Sequence, residues 1–269
     1  MMSGTSMAAP HVAGFAALVK QKFPNFSPAA IGSALSTTAS LYDNSGKPIM
    51  AQRSYPSPEL YQSPATPFDM GSGFVNATAA LNPGLLFDSS KSLDELLNHY
   101  IYNVVEILIF QKIQQWLQYR LDLNCVNFIF FVGYDDYMSF LCGINGSAST
   151  ILDYTGQNCL NFSSTGYGSD LNLPSITIAR LNQSRVVQRT LQNIAENETY
   201  SVGWSSPYGV SVKVSPTRFS IANGEKQVLS VIFNATSNSS TASFGRIGLF
   251  GNQGHVVNIP MSVIVKISM

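Results

Sequence analysis

The sequence predicts a chain with two kinds of structure: helices dominate roughly the first eighty residues, and an all-β sandwich occupies residues 170–269. Two observations carry this prediction. In the first part, apolar residues recur every three or four positions, which is the period of a helix. From residue 170 onward, short runs rich in Val, Ile, Thr and aromatic residues alternate with Gly, Pro, Asn and Ser, which is typical of strands joined by turns.

The first predicted element is a helix through "SMAAPHVAGFAALVKQKF". Because Pro10 is tolerated only near the first turn, we expect the helix to begin at about Thr5 or Ser6. Ser6 then lies where unpaired N–H groups and the positive end of the helix dipole favour an oxyanion. An ordinary serine or threonine cap would explain this position equally well. The predicted apolar face consists of Ala8, Val12, Phe15, Ala16, Val19 and Phe23.

The string "SGTSMAAPHVAG", residues 3–14, resembles the segment that carries the catalytic serine of subtilisin-like serine proteases. Ala8 stands where the GxSxG elbow of α/β-hydrolases has its second glycine, which disfavours a different serine hydrolase. The resemblance implies an α/β subtilisin-like remnant and endopeptidase activity, with Ser6 as nucleophile and its backbone N–H in the oxyanion hole. His11 is then not the general base, and we expect it to be a packed or capping residue.

The next elements follow from local signals. Ser27 is a predicted N-cap and Pro28 the first position of a second helix. A loop rich in Pro and Ser covers residues 43–68, and a short helix covers about 76–81 before a Pro-Gly stop. "FDMGSGFVNATAALNPGLLFD" resembles the end of the catalytic domain in plant-type subtilases, so residues 1–88 are assigned to the C-terminal part of that domain.

Residues 89–133 interrupt the resemblance. This insert contains no Ala, Pro or Thr, and it is rich in Leu, Ile, Phe, Tyr and Asn. Part of it has helical spacing and could pair with another helix. We favour a translated, retained intron, because Ala and Pro, which it lacks, and Gly, which occurs once, need GC-rich codons, whereas Phe, Ile, Tyr, Asn and Lys use AT-rich ones. Sequencing the mature transcript tests this, since the presence of these codons would exclude an intron.

Residues 134–169 form a predicted linker. Cys142 and Cys159 flank a polar, Gly-rich loop and are the expected disulfide pair in an oxidising compartment, while Cys125 lies in the insert. Three reduced, buried thiols remain the alternative.

The C-terminal region resembles the fibronectin type III-like domain that closes plant-type subtilases. We expect an antiparallel sandwich without a catalytic group, and His255 as a solvated or edge-strand residue rather than a ligand. The predicted strands are "SITIA", "RVVQRTLQNI", "TYSVGW", "GVSVKVSP", "QVLSVIFNAT", "RIGLFG" and "VVNIPMSVIV".

The resemblance also predicts that the chain is inactive by itself. Subtilases place Asp and His before the serine, and only five residues precede Ser6. His99 lies in the insert and His255 in the sandwich, so neither is a plausible substitute base. We therefore expect a C-terminal piece of a protease. The alternative is a non-catalytic interaction or decoy protein with a vestigial protease segment.

Composition and sequence motifs limit the possible partners, cofactors and cellular location. Fifteen basic and fifteen acidic residues give no net charge, so we expect no nucleic-acid partner and no membrane partner. The resemblance to subtilisin-like proteases implies a peptide or protein substrate. No cofactor and no metal cluster is expected, calcium is not assignable, and the oligomeric state is open. No signal peptide is visible, but the resemblance implies an extracellular, cell-wall location. Eight sequons favour secretion, Asn25 being weakened by Pro28; the proposed glycosylation sites are Asn76, Asn145, Asn161, Asn182, Asn197, Asn234 and Asn238.

Overall fold

The computed structural model describes residues 4–53, 61–87, 134–162, 167–239 and 241–266. The predicted insert at 89–133, with His99 and Cys125, lies outside these ranges. The chain divides into two compact units. The first comprises residues 1–26, 30–88 and 167–269, and the second comprises residues 27–29 and 89–166. The predicted domain boundaries stay predictions.

Two helices begin the chain. α1 spans Thr5–Lys22 and α2 spans Pro28–Thr37, so both begin where the sequence predicts. Proline suits the first position of α2, because its φ is already helical and its missing N–H is not needed there. Residues from both helices share one buried apolar cluster with Ala80 and Leu86; this helix cluster consists of Val19, Ala30, Ile31, Ala34, Leu35, Ala80 and Leu86.

A short hairpin lies within the predicted loop. β1 (Met50–Arg53) and β2 (Tyr61–Pro64) pair antiparallel, so the expectation of a continuous loop over residues 43–68 is wrong there. α3 (Pro67–Met70) and α4 (Ala77–Ala80) follow. The short helix predicted over 76–81 is thus confirmed.

Nine of the described strands form a β-sandwich, which confirms the predicted fold class. These strands are β3 (Leu85–Leu86), β4 (Ile176–Leu181), β5 (Ser184–Asn193), β6 (Glu198–Ser205), β7 (Val210–Ser215), β8 (Arg218–Ile221), β9 (Lys226–Ala235), β10 (Ser243–Gly251) and β11 (Val256–Val265). One sheet has the order β4-β11-β10-β6-β8, and the other has the order β3-β5-β9-β7.

Alternation of side chains along the strands builds the sandwich core. In β7, for example, Val210, Val212 and Val214 are buried and the residues between them are exposed. The expectation of a wholly antiparallel sandwich is wrong at one position, because β4 and β11 pair parallel. The sequence patterns also missed β8, which has only four residues and carries Arg218 and Ser220 on its exposed face.

The described part of the second unit contains two further α-helices and a 3₁₀ helix at Cys159–Asn161. α5 spans Tyr134–Cys142 and α6 spans Ala148–Thr155, which ends at Gly156 in a left-handed conformation. Cys142 and Cys159 are joined by a disulfide with a Cα–Cα distance of 5.4 Å. Among the described helices, none has the length and apolar composition needed to cross a bilayer.

Candidate active site

Ser6 is the second residue of α1 and is exposed. Gly4, just before the helix, has φ of +144°, a conformation that other residues rarely adopt. Its carbonyl accepts from the N–H of Met7 at 3.0 Å and of Ala8 at 3.1 Å, while the Ser6 N–H makes no backbone hydrogen bond among the described residues. Ser6 is therefore an exposed residue whose N–H lies at the positive end of a helix, which is the position that an acyl-transfer nucleophile requires.

The two halves of α1 differ in burial. Val19 is 1% exposed, and Phe15, Ala16 and Phe23 pack against the helix cluster, whereas Val12 is 42% exposed. The predicted apolar face is thus buried only in its C-terminal half. α1 is therefore anchored at Val19. Since a helix rises 1.5 Å per residue, Ser6 lies roughly 20 Å from this anchor.

His11 is exposed on α1, so the expectation of a packed or capping histidine is wrong. Its Nδ1 lies 2.7 Å from the carbonyl oxygen of Met7, one helical turn earlier. This local contact turns the ring along the helix and needs no neighbouring element.

No described group completes a catalytic set at Ser6. Within the described ranges, no hydrogen bond joins its hydroxyl to a histidine or carboxylate. The same ranges contain no group of three or more His, Cys, Asp or Glu side chains able to hold a metal ion. Ser6 is therefore the one predicted catalytic residue that the structure describes.

His255 is partly buried in the sandwich and directly precedes β11, which pairs with β4 on one side and with β10 on the other, so the expectation of a solvated or edge-strand residue is wrong. Its Nδ1 lies 2.7 Å from Oε2 of Glu198, whose side chain is fully buried. The phenol of Tyr200 donates to the same oxygen at 2.6 Å, and the N–H of Gln253 donates to Oε1 at 2.8 Å. We call Glu198, Tyr200 and His255 the carboxylate cluster.

Hydrogen bonding decides the charge state of this cluster. Burial acts to raise the pKa of Glu198, but the hydrogen bonds from Tyr200, Gln253 and His255 outweigh it and hold the pKa below its ordinary value. Burial together with the bond to Glu198 raises the pKa of Tyr200. The cluster therefore holds a carboxylate against a neutral phenol.

Gly84 lies directly against the carboxylate cluster. Its φ is +72°, and a Cβ placed there would lie 2.7 Å from the Tyr200 hydroxyl and 2.8 Å from Cγ of His255. Its carbonyl accepts from the N–H of Ile194 at 3.0 Å. Only glycine lets the chain pass this close, so the segment "NPGLLF" packs directly against the carboxylate cluster at Gly84.

The sequence patterns missed the carboxylate cluster, although a signal was present. Glu198 and Tyr200 share one face of the run "ETYSVGW", and both are buried. A glutamate at an inward position of a sandwich strand needs buried donors, and this requirement could have identified the cluster.

The buried arginine Arg189 was missed in the same way. It is 1% exposed, and burial lowers its pKa to about 10, with the nearby charge of Asp170 opposing the shift.

The proposed glycosylation sites lie mostly on the surface. Six of them are exposed, and Asn234, in the central strand β9, is half-buried. The exposed set is Asn76, Asn145, Asn161, Asn182, Asn197 and Asn238.

Comparisons with known proteins match both parts of the chain. The profile of the Subtilase family matches residues 1–73, and that of the Fibronectin type-III domain matches residues 170–263. Three Arabidopsis thaliana proteins named subtilisin-like protease SBT2.1, SBT2.3 and SBT2.2 are 54%, 55% and 56% identical to the whole chain. The chain spans only 26–28% of the length of these relatives. The resemblance to plant-type subtilases is confirmed.

Proposed function

We propose, on the premise that this chain belongs by homology to the subtilisin-like protease family, that Ser6 is the nucleophile of a serine endopeptidase. One observation carries the proposal: within the segment matched by the Subtilase profile, Ser6 is exposed on the first turn of an 18-residue helix. The substrate is a peptide or protein.

The chemistry needs three things at this serine. Its Oγ attacks the scissile carbonyl while a base takes the hydroxyl proton, and the Ser6 N–H donates to the oxyanion that develops. An acyl-enzyme forms with loss of the amine, and water hydrolyses it. The described residues supply the nucleophile and the donor, so the base must come from elsewhere in the protease.

We assign the base and its carboxylate partner to the part of the protease that this chain does not span. His11 faces the carbonyl of Met7, and His255 is held by Glu198 inside the sandwich. Loss of a base typically lowers turnover by about 10⁶. Residues 1–269 alone are therefore expected to be inactive.

A fluorophosphonate probe tests the isolated chain. We expect no more labelling of residues 1–269 than of the Ser6→Ala variant. Labelling that requires Ser6 would overturn the proposed inactivity while supporting the nucleophile.

A chimaera tests the nucleophile itself. Residues 1–269 replace the matching segment of the relative SBT2.1, and probe labelling and peptide cleavage are measured. We expect both activities, a loss of at least 10³-fold in Ser6→Ala, and little change in Ser36→Ala on α2. A secreted, folded chimaera that resists the probe would refute Ser6 as nucleophile and favour a non-catalytic interaction protein.

An extracellular, glycosylated protein fits the same proposal. The Cys142–Cys159 disulfide suits an oxidising compartment, and six of the seven proposed sequon asparagines are exposed. Expression in a secreting plant cell, followed by enzymatic deglycosylation and mass spectrometry, tests the sites one by one. A protein mass equal to that of the bare chain would overturn the glycosylation proposal.

A further inference from the structure

Strand β3 belongs to two apolar cores at once. Leu85 and Phe87 are 0% and 1% exposed and lie in the sandwich core, whereas Leu86 between them is 2% exposed and belongs to the helix cluster. Successive side chains of a strand point to opposite faces, which is how three neighbouring residues fill two cores.

The sandwich holds β3 firmly in place. Leu85 and Leu86 pair with Asn193 and Gln192 of β5. The carbonyl of Gly84 accepts from Ile194, and the carboxylate cluster seats Gly84 itself. The start of β3 is therefore fixed by backbone pairing and by close contact.

The residue directly after β3, Phe87, is hydrogen-bonded to α2. The N–H of Phe87 donates to Oγ of Ser33 at 2.8 Å, and Ser33 is 1% exposed. Since both groups are buried, loss of the hydroxyl would leave an N–H without a partner. Ser33 thus connects the sandwich strand to the second helix.

α1 depends on the helix cluster for its orientation. Its buried contact is Val19, in the same cluster as Leu86, while residues 8–14 are exposed in the described structure. Among the described residues, the buried contacts of α1 lie near its C-terminal end, so a rotation of that end is transmitted along the rigid helix to its first turn, where Ser6 lies.

We propose that the sandwich positions the nucleophile helix through β3, with Leu86 and Ser33 as positioning residues. The helix cluster, closed by Leu86, sets the angle of α1, and the Ser33–Phe87 hydrogen bond fixes the distance between α2 and β3. This inference rests on the proposed role of Ser6 for its catalytic meaning. The sandwich then acts on the reaction geometry although it contributes no reacting group.

Distance measurements between spin labels test the proposal on the full chain. Labels are attached to Ser6→Cys and to Ser211→Cys on β7, in a Cys125→Ser background, and the width of the distance distribution is compared among variants. We expect Leu86→Val and Ser33→Ala each to widen the distribution at least twofold. Ser36→Ala, one turn from Ser33 on α2, is the matched control and should leave the width unchanged.

A second control separates positioning from stability. Leu229→Val removes the same methylene from the sandwich core, where Leu229 is 0% exposed and lies on β9, a strand that does not pair with β3. Unchanged widths in Leu86→Val and Ser33→Ala would overturn the proposal, as would equal widening in Leu229→Val. If Leu86→Val does not fold, Ser33→Ala decides alone. The measurement needs no activity, so its failure leaves the assignment of Ser6 to be judged by the chimaera.

Discussion

Replacing Gly84 with alanine should destabilise the first unit by about 2–5 kcal/mol. A left-handed φ costs a residue with a Cβ about 1–2 kcal/mol. The new methyl would also lie within 3 Å of the Tyr200 hydroxyl and of Cβ and Cγ of His255. Relieving such overlap in a closely packed site typically costs about 1–3 kcal/mol more.

Gly224→Ala is the matched control. Gly224 has a similar φ of +79°, but a Cβ there would meet no atom within 4 Å. It should therefore show only the backbone cost, about 1–2 kcal/mol. The difference between the two variants measures the close approach of Gly84 to the carboxylate cluster.

Urea unfolding, followed by the fluorescence of Trp204 on β6 in a Trp116→Phe background, measures both variants. With a slope of about 1–3 kcal/mol per molar urea, a loss of 3 kcal/mol moves the midpoint by about 1–3 M. Equal losses in Gly84→Ala and Gly224→Ala, at unchanged slope, would refute the argument that Gly84 is seated on the cluster.

Three further predictions concern other parts of the chain. The folded-state pKa of Glu198 is lowered, so its stabilising contribution is present above the unfolded value of about 4.3 and disappears as the pH falls through the folded value. Urea midpoints should fall in that acid range, and a parallel fall in Glu198→Gln would contradict this. Joint replacement of Cys142 and Cys159 by serine should cost roughly 3 kcal/mol locally and speed proteolysis between α5 and α6; unchanged cleavage would argue against a constraining bridge. Asn76→Ala should cost about 1 kcal/mol, because the side chain caps α4, while Asn76→Asp should keep the cap; thermal melts that rank them oppositely would exclude this role.

The parts of the fold that local chemistry determines could be predicted from the sequence. Pro10 and Pro28 fixed where two helices begin, and the alternation of valines in β7 identified a sandwich strand. The exposure of His11 was not predictable, because a helical pattern says which face is apolar and not whether another element covers it.

The sequence patterns did not predict strand β3, for a related reason. "LLF" follows a Pro-Gly stop and has no period of its own, and its partner β5 lies more than a hundred residues later. His255 likewise depends on Glu198, far away in the sequence. Pairings of this kind are set by tertiary contact, which leaves only a weak local signature.

The late partner of β3 has a consequence for the order of events during synthesis. Leu86 cannot complete the helix cluster until its pairing partner in β5 has left the ribosome, more than a hundred residues after Leu85. At about 5–20 residues per second, the roughly 150 residues from the end of α2 to the end of β5 take on the order of 8–30 s, and during this time the helices expose an uncovered apolar surface. A chaperone that binds nascent chains should therefore be found on the early helices and be released once β5 emerges.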